Sequence, residues 1–310
     1  MKIGCHASAL QPMRKAPYDE AIRNAGKIGF AGVELIAMDR GELDDYYTPA
    51  RVKELRALAA ANGLEISQFA VYSTACEGMA SLDAAEKADG MKVFEKGIDV
   101  CADLGCKIVN LVSHWPVGLK APIEYPPSYI YPIARGAGRM PTSKVIMEIP
   151  QPFDFARIWD NYVDSLSKAT SYAAKRGVKL AIEGHAHVIV SGADALLRLF
   201  DRLDHPNAVV NFDTSWHFIQ REYVPMAIHK LKGKIAHVHM RDADGVLYYG
   251  APVGQGVIDW HGVIRALRDT GFDGFLSFEY SGFEDYVGVA SESKAYIERV
   301  VRDVLSEARA

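Results

Sequence analysis

The sequence predicts a single (β/α)8 TIM-type barrel over residues 1–310, and three observations carry the prediction. Eight short apolar runs alternate with longer stretches of helical period, the order of strand–helix units feeding a parallel sheet. The runs are apolar at consecutive positions, as strands covered on both faces are. Glycines (Gly29, Gly63, Gly105, Gly177 and Gly271) stand where a helical pattern gives way to the next run, the usual place for a left-handed helix cap.

The predicted strands are 3–7, 32–36, 64–72, 107–113, 179–184, 208–213, 235–240 and 274–280. Helical spacing is clear at Met91, Phe94, Ile98, Cys101 and Gly105, at Leu196, Leu199, Phe200 and Leu203, and at Val263, Ile264 and Leu267. The competing arrangement is a doubly wound open sheet, which often carries a glycine-rich phosphate loop after its first strand. Here that segment reads ASALQPMRK and has neither G-x-G-x-x-G nor G-x-x-x-x-G-K-[ST], which favours the barrel.

One segment, 114–151, breaks the rhythm. It follows the fourth strand and is rich in proline and aromatics, among them Trp115, Tyr125, Tyr129 and Tyr131. Loops this long without a period are commonly functional, and after a barrel strand this one would emerge on the catalytic face, so it reads as a lid or binding loop.

Composition narrows the function class. With 49% hydrophobic and 24% charged residues the chain can bury a large core without disulfides. A net charge of −4 with no basic stripe argues against nucleic acid as a partner. Cys5, Cys76, Cys101 and Cys106 form no C-x-x-C pair and read as reduced thiols. The opening MKIGCHAS reads as a strand, not a signal peptide, and no apolar run reaches the ~20 residues that span a bilayer, so a cytoplasmic protein is expected.

The chemistry lies at the ends of the late strands. KLAIEGH places Glu183 near the end of strand five, VVNFDTSWH places Asp213 at the end of strand six, IAHVHMRD puts His237 and His239 on one face of strand seven, and FLSFEY brings Glu279 to the end of strand eight. An ionised carboxylate in an apolar strand is costly unless paired or metal-bound. Three carboxylates and an imidazole at equivalent positions on consecutive strands would converge at a barrel mouth, where a divalent cation relieves their repulsion. The competing reading is a salt-bridge network with nearby Arg and Lys. An oxygen-rich set with one nitrogen suits Mn2+, Mg2+ or Co2+, with Zn2+ also accommodated, and the absence of cysteine marks the site as catalytic.

These motifs, with the loop VGQGVIDW, resemble the xylose isomerase-like TIM-barrel superfamily over nearly the whole chain. That superfamily contains sugar-phosphate isomerases, D-tagatose 3-epimerase-type enzymes, inosose dehydratases and endonuclease IV. The resemblance implies metal ligation by Glu183, Asp213, His239 and Glu279, with Glu183 and Glu279 also transferring protons. Three positions depart from the pattern. Trp216 stands where many relatives carry histidine, and the histidine follows as His217, which a one-residue shift turns to another face. Arg241 replaces a frequent lysine, and Gln255 a frequent acid. The extra histidines of a three-zinc nuclease are missing, which counts against DNA repair.

Further candidates surround the mouth. His114, which ends strand four, is a candidate catalytic base. His6, Glu34, Trp115, His185, Trp216, His217 and Arg241 are candidate substrate contacts, whereas His187, His205, His229 and His261 read as surface or packing residues. The expected activity is metal-dependent isomerisation or epimerisation of a sugar or related polyhydroxy carbonyl compound through an enediolate. The alternatives are a dehydratase, or a C–C lyase acting on aromatic C-glycosides as the barrel subunit of a complex. In that lyase the aromatics of 114–151 would wall the aglycone and His114 would act as base. The non-enzymatic alternative is a metal-stabilised sugar-binding protein. A homo-oligomer or a small partner subunit is compatible with either kind of protein.

Overall fold

A computed structural model describes residues 1–12, 14–116, 119, 149–245 and 250–307. Eight parallel strands close into a barrel in chain order: β1 (Lys2–His6), β2 (Gly32–Ala37), β3 (Glu65–Val71), β4 (Ile108–Val112), β5 (Lys179–Glu183), β6 (Ala208–Asp213), β7 (Ile235–Met240) and β8 (Phe275–Phe278). Closure is made by β1 on β8, with Ile3 opposite Leu276. The expected barrel is therefore present, and an open sheet is excluded. β8 ends two residues earlier than the sequence suggested, although the Glu279 amide still bonds the Met240 carbonyl at 3.2 Å.

The outer layer consists of α1 (Asp19–Ile28), α2 (Pro49–Ala61), α3 (Ala84–Asp103), α4 (Phe155–Lys175), α5 (Ala193–Phe200), α6 (Thr214–Ile219), α7 (Val224–Lys230), α8 (Trp260–Asp269) and α9 (Tyr286–Glu307). Local chemistry fixes their ends. Thr48 caps α2 through the Arg51 amide, with Pro49 pre-set in the first turn, and Asp83 caps α3 through the Ala85 and Glu86 amides. Gly29 closes α1 at φ 82°, a conformation that costs a side chain and that glycine adopts freely. The other four predicted cap glycines also have positive φ.

Period two along the strands sorts the layers. Leu35, Phe69, Leu111, Ile182, Phe212, Val238 and Leu276 are fully buried and form the apolar layer under the helices. The alternate positions, Glu34, Gln68, Asn110, Glu183, Asn211, His237 and Ser277, are also buried, and they are polar. The usual apolar filling of such a barrel is thus replaced by a hydrogen-bonded interior below the mouth.

The loop after β7 is gathered around Asp242, which is fully buried. Its Oδ1 accepts from the Ala243 and Ile258 amides at 3.0 and 3.1 Å. Its Oδ2 accepts from the Gly254 amide at 3.0 Å and Trp260 Nε1 at 2.7 Å. Gly256 is required by this arrangement, because a Cβ there would stand 2.3 Å from both Asp242 Oδ1 and the Ala243 carbonyl oxygen. The motif VGQGVIDW therefore folds as a wrap around one carboxylate.

Of segment 114–151, positions 114–116, 119 and 149–151 are described. The expected lid, with Tyr125, Tyr129 and Tyr131, lies outside the described residues. Among the described residues no helix is long and apolar enough to cross a membrane.

Candidate metal centre

The C-terminal ends of β5 to β8 bring Glu183, Asp213, His239 and Glu279 together, with one ligand atom from each lying within 4.8 Å of the others. Register explains the convergence. Asp213 pairs directly with His239, and His239 with Ser277, two residues before Glu279. All four side chains are buried.

Each carboxylate is held differently. Asp213 caps α6, its Oδ1 accepting from the Ser215 and Trp216 amides at 2.9 and 2.8 Å. Its Oδ2 accepts from Arg241 Nε at 2.9 Å and also from Arg241 Nη2. Glu183 Oε2 accepts from Asn110 and Asn211 Nδ2 at 2.7 and 2.8 Å, while Oε1 lies 2.8 Å from His185 Nε2. Glu279 Oε1 accepts from Arg14 Nη2 at 2.8 Å, and Oε2 is 3.1 Å from His239 Nδ1 and 3.5 Å from Arg241 Nη2.

Burial alone would raise the Glu183 and Glu279 carboxyls. His239 beside Glu183, and Arg241 with His239 beside Glu279, hold both well below the usual carboxylate range. Burial opposes charge on His239, yet Glu34, Glu183 and Glu279 around the ring hold it well above the ordinary histidine value. His237, by contrast, is pushed down to about 3, chiefly by burial.

The residues present fit a divalent ion. Four buried carboxylates (Glu34, Glu183, Asp213 and Glu279) face two guanidiniums, Arg14 and Arg241, leaving two negative charges for a cation to balance. The donors are three carboxylate groups and one imidazole, a hard set with no thiolate. Removing the ion from such a site leaves like charges in close contact, with the His239 proton as partial replacement.

The other sequence candidates divide. His6, Glu34, His185, Trp216 and Arg241 belong to the cluster. His185 stacks on Trp216 with ring centroids 4.3 Å apart, and the Arg241 guanidinium lies 5.5 Å from the same indole. His6 is buried, and its Nδ1 accepts from the Ser8 amide at 3.0 Å, which leaves the proton on Nε2, 3.9 Å from Glu34. Trp115 packs near His187, with centroids 5.9 Å apart.

His114 and His217 are not brought to the carboxylates. His114 Nε2 lies 3.0 Å from the Cys76 carbonyl, to which it must donate, so the basic nitrogen is Nδ1, taken up by the Tyr162 hydroxyl at 3.0 Å. His217 stacks on Phe212, with centroids 4.1 Å apart, and its Nδ1 pairs with Glu222. His217, a candidate substrate contact, is thus carried by the one-residue shift to the buried Phe212 side of α6, while Trp216 stacks on His185. Sequence reasoning missed Arg14, Gln68, Asn110, Asn211 and Ser277. The two asparagines had a signal, being polar residues inside the apolar runs IVNLV and VVNFD.

Burial depresses the His114 ring to about 4. The native ring then stays neutral where an unfolded one, near 6.5, takes up a proton. Its contribution is present above pH 6.5 and is lost as pH falls through about 4, on the order of 3 kcal/mol in total. His114→Gln should flatten stability against pH over that window, read by urea midpoints. An unchanged slope would contradict the assignment.

The fold and this cluster define a closed α/β barrel with a buried carboxylate–histidine centre at its catalytic mouth. The chain belongs to the xylose isomerase-like TIM barrel family, whose model matches residues 22–300. It is 24% identical over 285 residues to a D-psicose 3-epimerase of Agrobacterium fabrum, covering 90% of this chain and 84% of that protein. It is 22% identical over 321 residues to an inosose dehydratase of Geobacillus kaustophilus, covering 91% and 97% of the two chains. The structure superposes on an L-ribulose 3-epimerase with a TM-score of 0.77 at 20% identity, covering 99% of this chain and 97% of that one. It also superposes on the D-psicose 3-epimerase of Clostridium cellulolyticum H10, with a TM-score of 0.72 at 19% identity, covering 100% and 98%.

Proposed function

We propose that the protein is a divalent-metal-dependent isomerase or epimerase acting on a sugar or related polyhydroxy carbonyl compound by proton abstraction and an enediolate. That it is an enzyme of sugar isomerase or epimerase type is supported by relatives named as such, including the fructoselysine 3-epimerase of Shigella flexneri. The observation that carries the mechanism is the placement of two glutamates, from β5 and β8, around one histidine within 4.8 Å.

Glu183, Asp213, His239 and Glu279 would hold the ion, with Mn2+ the best match to the donors and Mg2+, Co2+ and Zn2+ the competitors. When bound, it polarises a carbonyl or hydroxyl oxygen and acidifies the neighbouring C–H. Glu183 is anchored through Oε2 by two amides, so Oε1, beside His185, is the oxygen placed to accept a proton. Glu279 is steadied by Arg14 and stands across His239, placed to return a proton from another side. His185, Trp216 and Arg241 form a wall against which the substrate is positioned, with the indole as its apolar part.

Dehydration begins with the same proton abstraction and remains the second reading, favoured by the inosose dehydratase match across nearly all of that protein. The C–C lyase reading loses its base, since His114 Nδ1 is engaged by Tyr162.

The test is metal analysis of the purified protein, then deuterium wash-in from D2O into a panel of ketoses and inososes followed by NMR. Exchange at the carbon beside the carbonyl, only with metal present, is expected. Tight metal and sugar binding with no exchange in any compound would leave the binding-protein reading in its place.

A further inference from the structure

We infer that Glu34 is a positioning residue for the metal centre, fixing the His239 ring so that Nδ1 faces Glu183 and Glu279. The inference rests on the metal reading above and adds a residue that does not itself touch the ion. Glu34 lies on β2, fully buried. A carboxylate in that position carries a large desolvation cost unless it is paired. Its ion-pair contacts among the described residues are all imidazoles: His239 Nε2 at 2.8 Å, His237 Nε2 at 3.8 Å and His6 Nε2 at 3.9 Å.

Hydrogen-bond accounting leaves one working partner. His237 Nδ1 lies 2.9 Å from Asn211 Oδ1, an acceptor, so Nδ1 carries the proton, and its Nε2 accepts from Ser277 Oγ at 3.0 Å. His237 therefore has no N–H for Glu34. His6 has one, on Nε2, but 3.9 Å is too long for a hydrogen bond. The remaining donor is His239 Nε2–H, at 2.8 Å from Oε2. With that proton held on Nε2, Nδ1 is the nitrogen turned to Glu279 Oε2, 3.1 Å away, and Glu183 Oε2, 3.4 Å away, and it is Nδ1 that gives up its proton and offers a lone pair when an ion enters. This is the carboxylate–histidine–metal relation by which outer residues set the tautomer and basicity of a ligand.

A second ion held at Glu34 fails on the same geometry. Glu34, His237 and His239 have ligand atoms close enough for a second ion. Both His237 nitrogens are already committed, however, and His239 would need to serve two ions at once.

The experiment compares full-length wild type, Glu34→Gln and, as a control, Thr170→Ala on α4, where a buried hydroxyl bonds the Leu166 carbonyl of its own helix. Mn2+ affinity is measured by chelator competition at fixed pH, the visible spectrum with Co2+ bound, and melting temperature without metal. Glu34→Gln should weaken Mn2+ binding 10- to 100-fold and shift the Co2+ bands, with metal-free melting close to wild type. Thr170→Ala should leave Mn2+ affinity unchanged. Unaltered affinity and Co2+ spectrum in Glu34→Gln would overturn the inference while leaving the metal centre standing. A wild type that binds no divalent ion would overturn both. Independently of any variant, long-range 1H–15N spectra of the Zn2+-loaded wild type should show His239 protonated at Nε2, and a proton on Nδ1 would refute the assignment.

Discussion

Glu279→Gln should slow metal-dependent deuterium wash-in by about a thousandfold or more at saturating Mn2+, the scale on which a positioned acid–base group contributes. The replacement keeps the shape of the side chain and an oxygen for Arg14, which donates to Oε1 at 2.8 Å. What it removes is the charge on the atom facing His239 at 3.1 Å and the capacity to carry a proton. Working at saturating metal separates this from weaker ion binding. A variant within tenfold of wild type would exclude Glu279 from proton transfer and leave it a ligand at most.

Asp213→Ala should be the most damaging single change to stability at the site, about 4 kcal/mol by urea unfolding of the metal-free protein. Two losses add. The first turn of α6 loses a cap on two amides, worth about 1 kcal/mol. Arg241, itself buried, loses the carboxylate that receives Nε and Nη2, and a stranded buried charge costs about 3–5 kcal/mol, softened here by Glu279 at 3.5 Å. Asp213→Asn keeps an oxygen for the cap and should fall between the two, with Mn2+ binding impaired in both variants. If Ala and Asn are equally mild, within 1 kcal/mol of wild type, Asp213 has neither role.

Much of this site was readable before any coordinates, for a physical reason. Glu183, Asp213, His239 and Glu279 each end an apolar strand, where a charged or metal-binding group stands out against its neighbours, and a closed parallel sheet brings such ends together. The polar layer beneath was harder to see. Asn110 and Asn211 are neutral, and a buried amide reveals its purpose only when its partner is known, here Glu183 Oε2. Arg14 comes from the irregular chain after β1, where no period connects a residue to a direction. His114 shows the limit of strand logic. β4 ends at Val112, so alternation no longer governs position 114, and the ring turns back to Tyr162 and Cys76. His217, expected among the substrate contacts, lies instead against Phe212 and Glu222, because the one-residue shift on a short helix carries it to another face.

One carboxylate, Asp242, gathers positions 243, 254, 258 and 260, and so sets the mechanical character of the mouth. Residues 254–260, tied at three points to a single anchor, are held as a fixed jaw on the side of the entrance beside β7. Substitutions meant to alter selectivity are then best placed away from residues 254–260, where they leave that frame undisturbed.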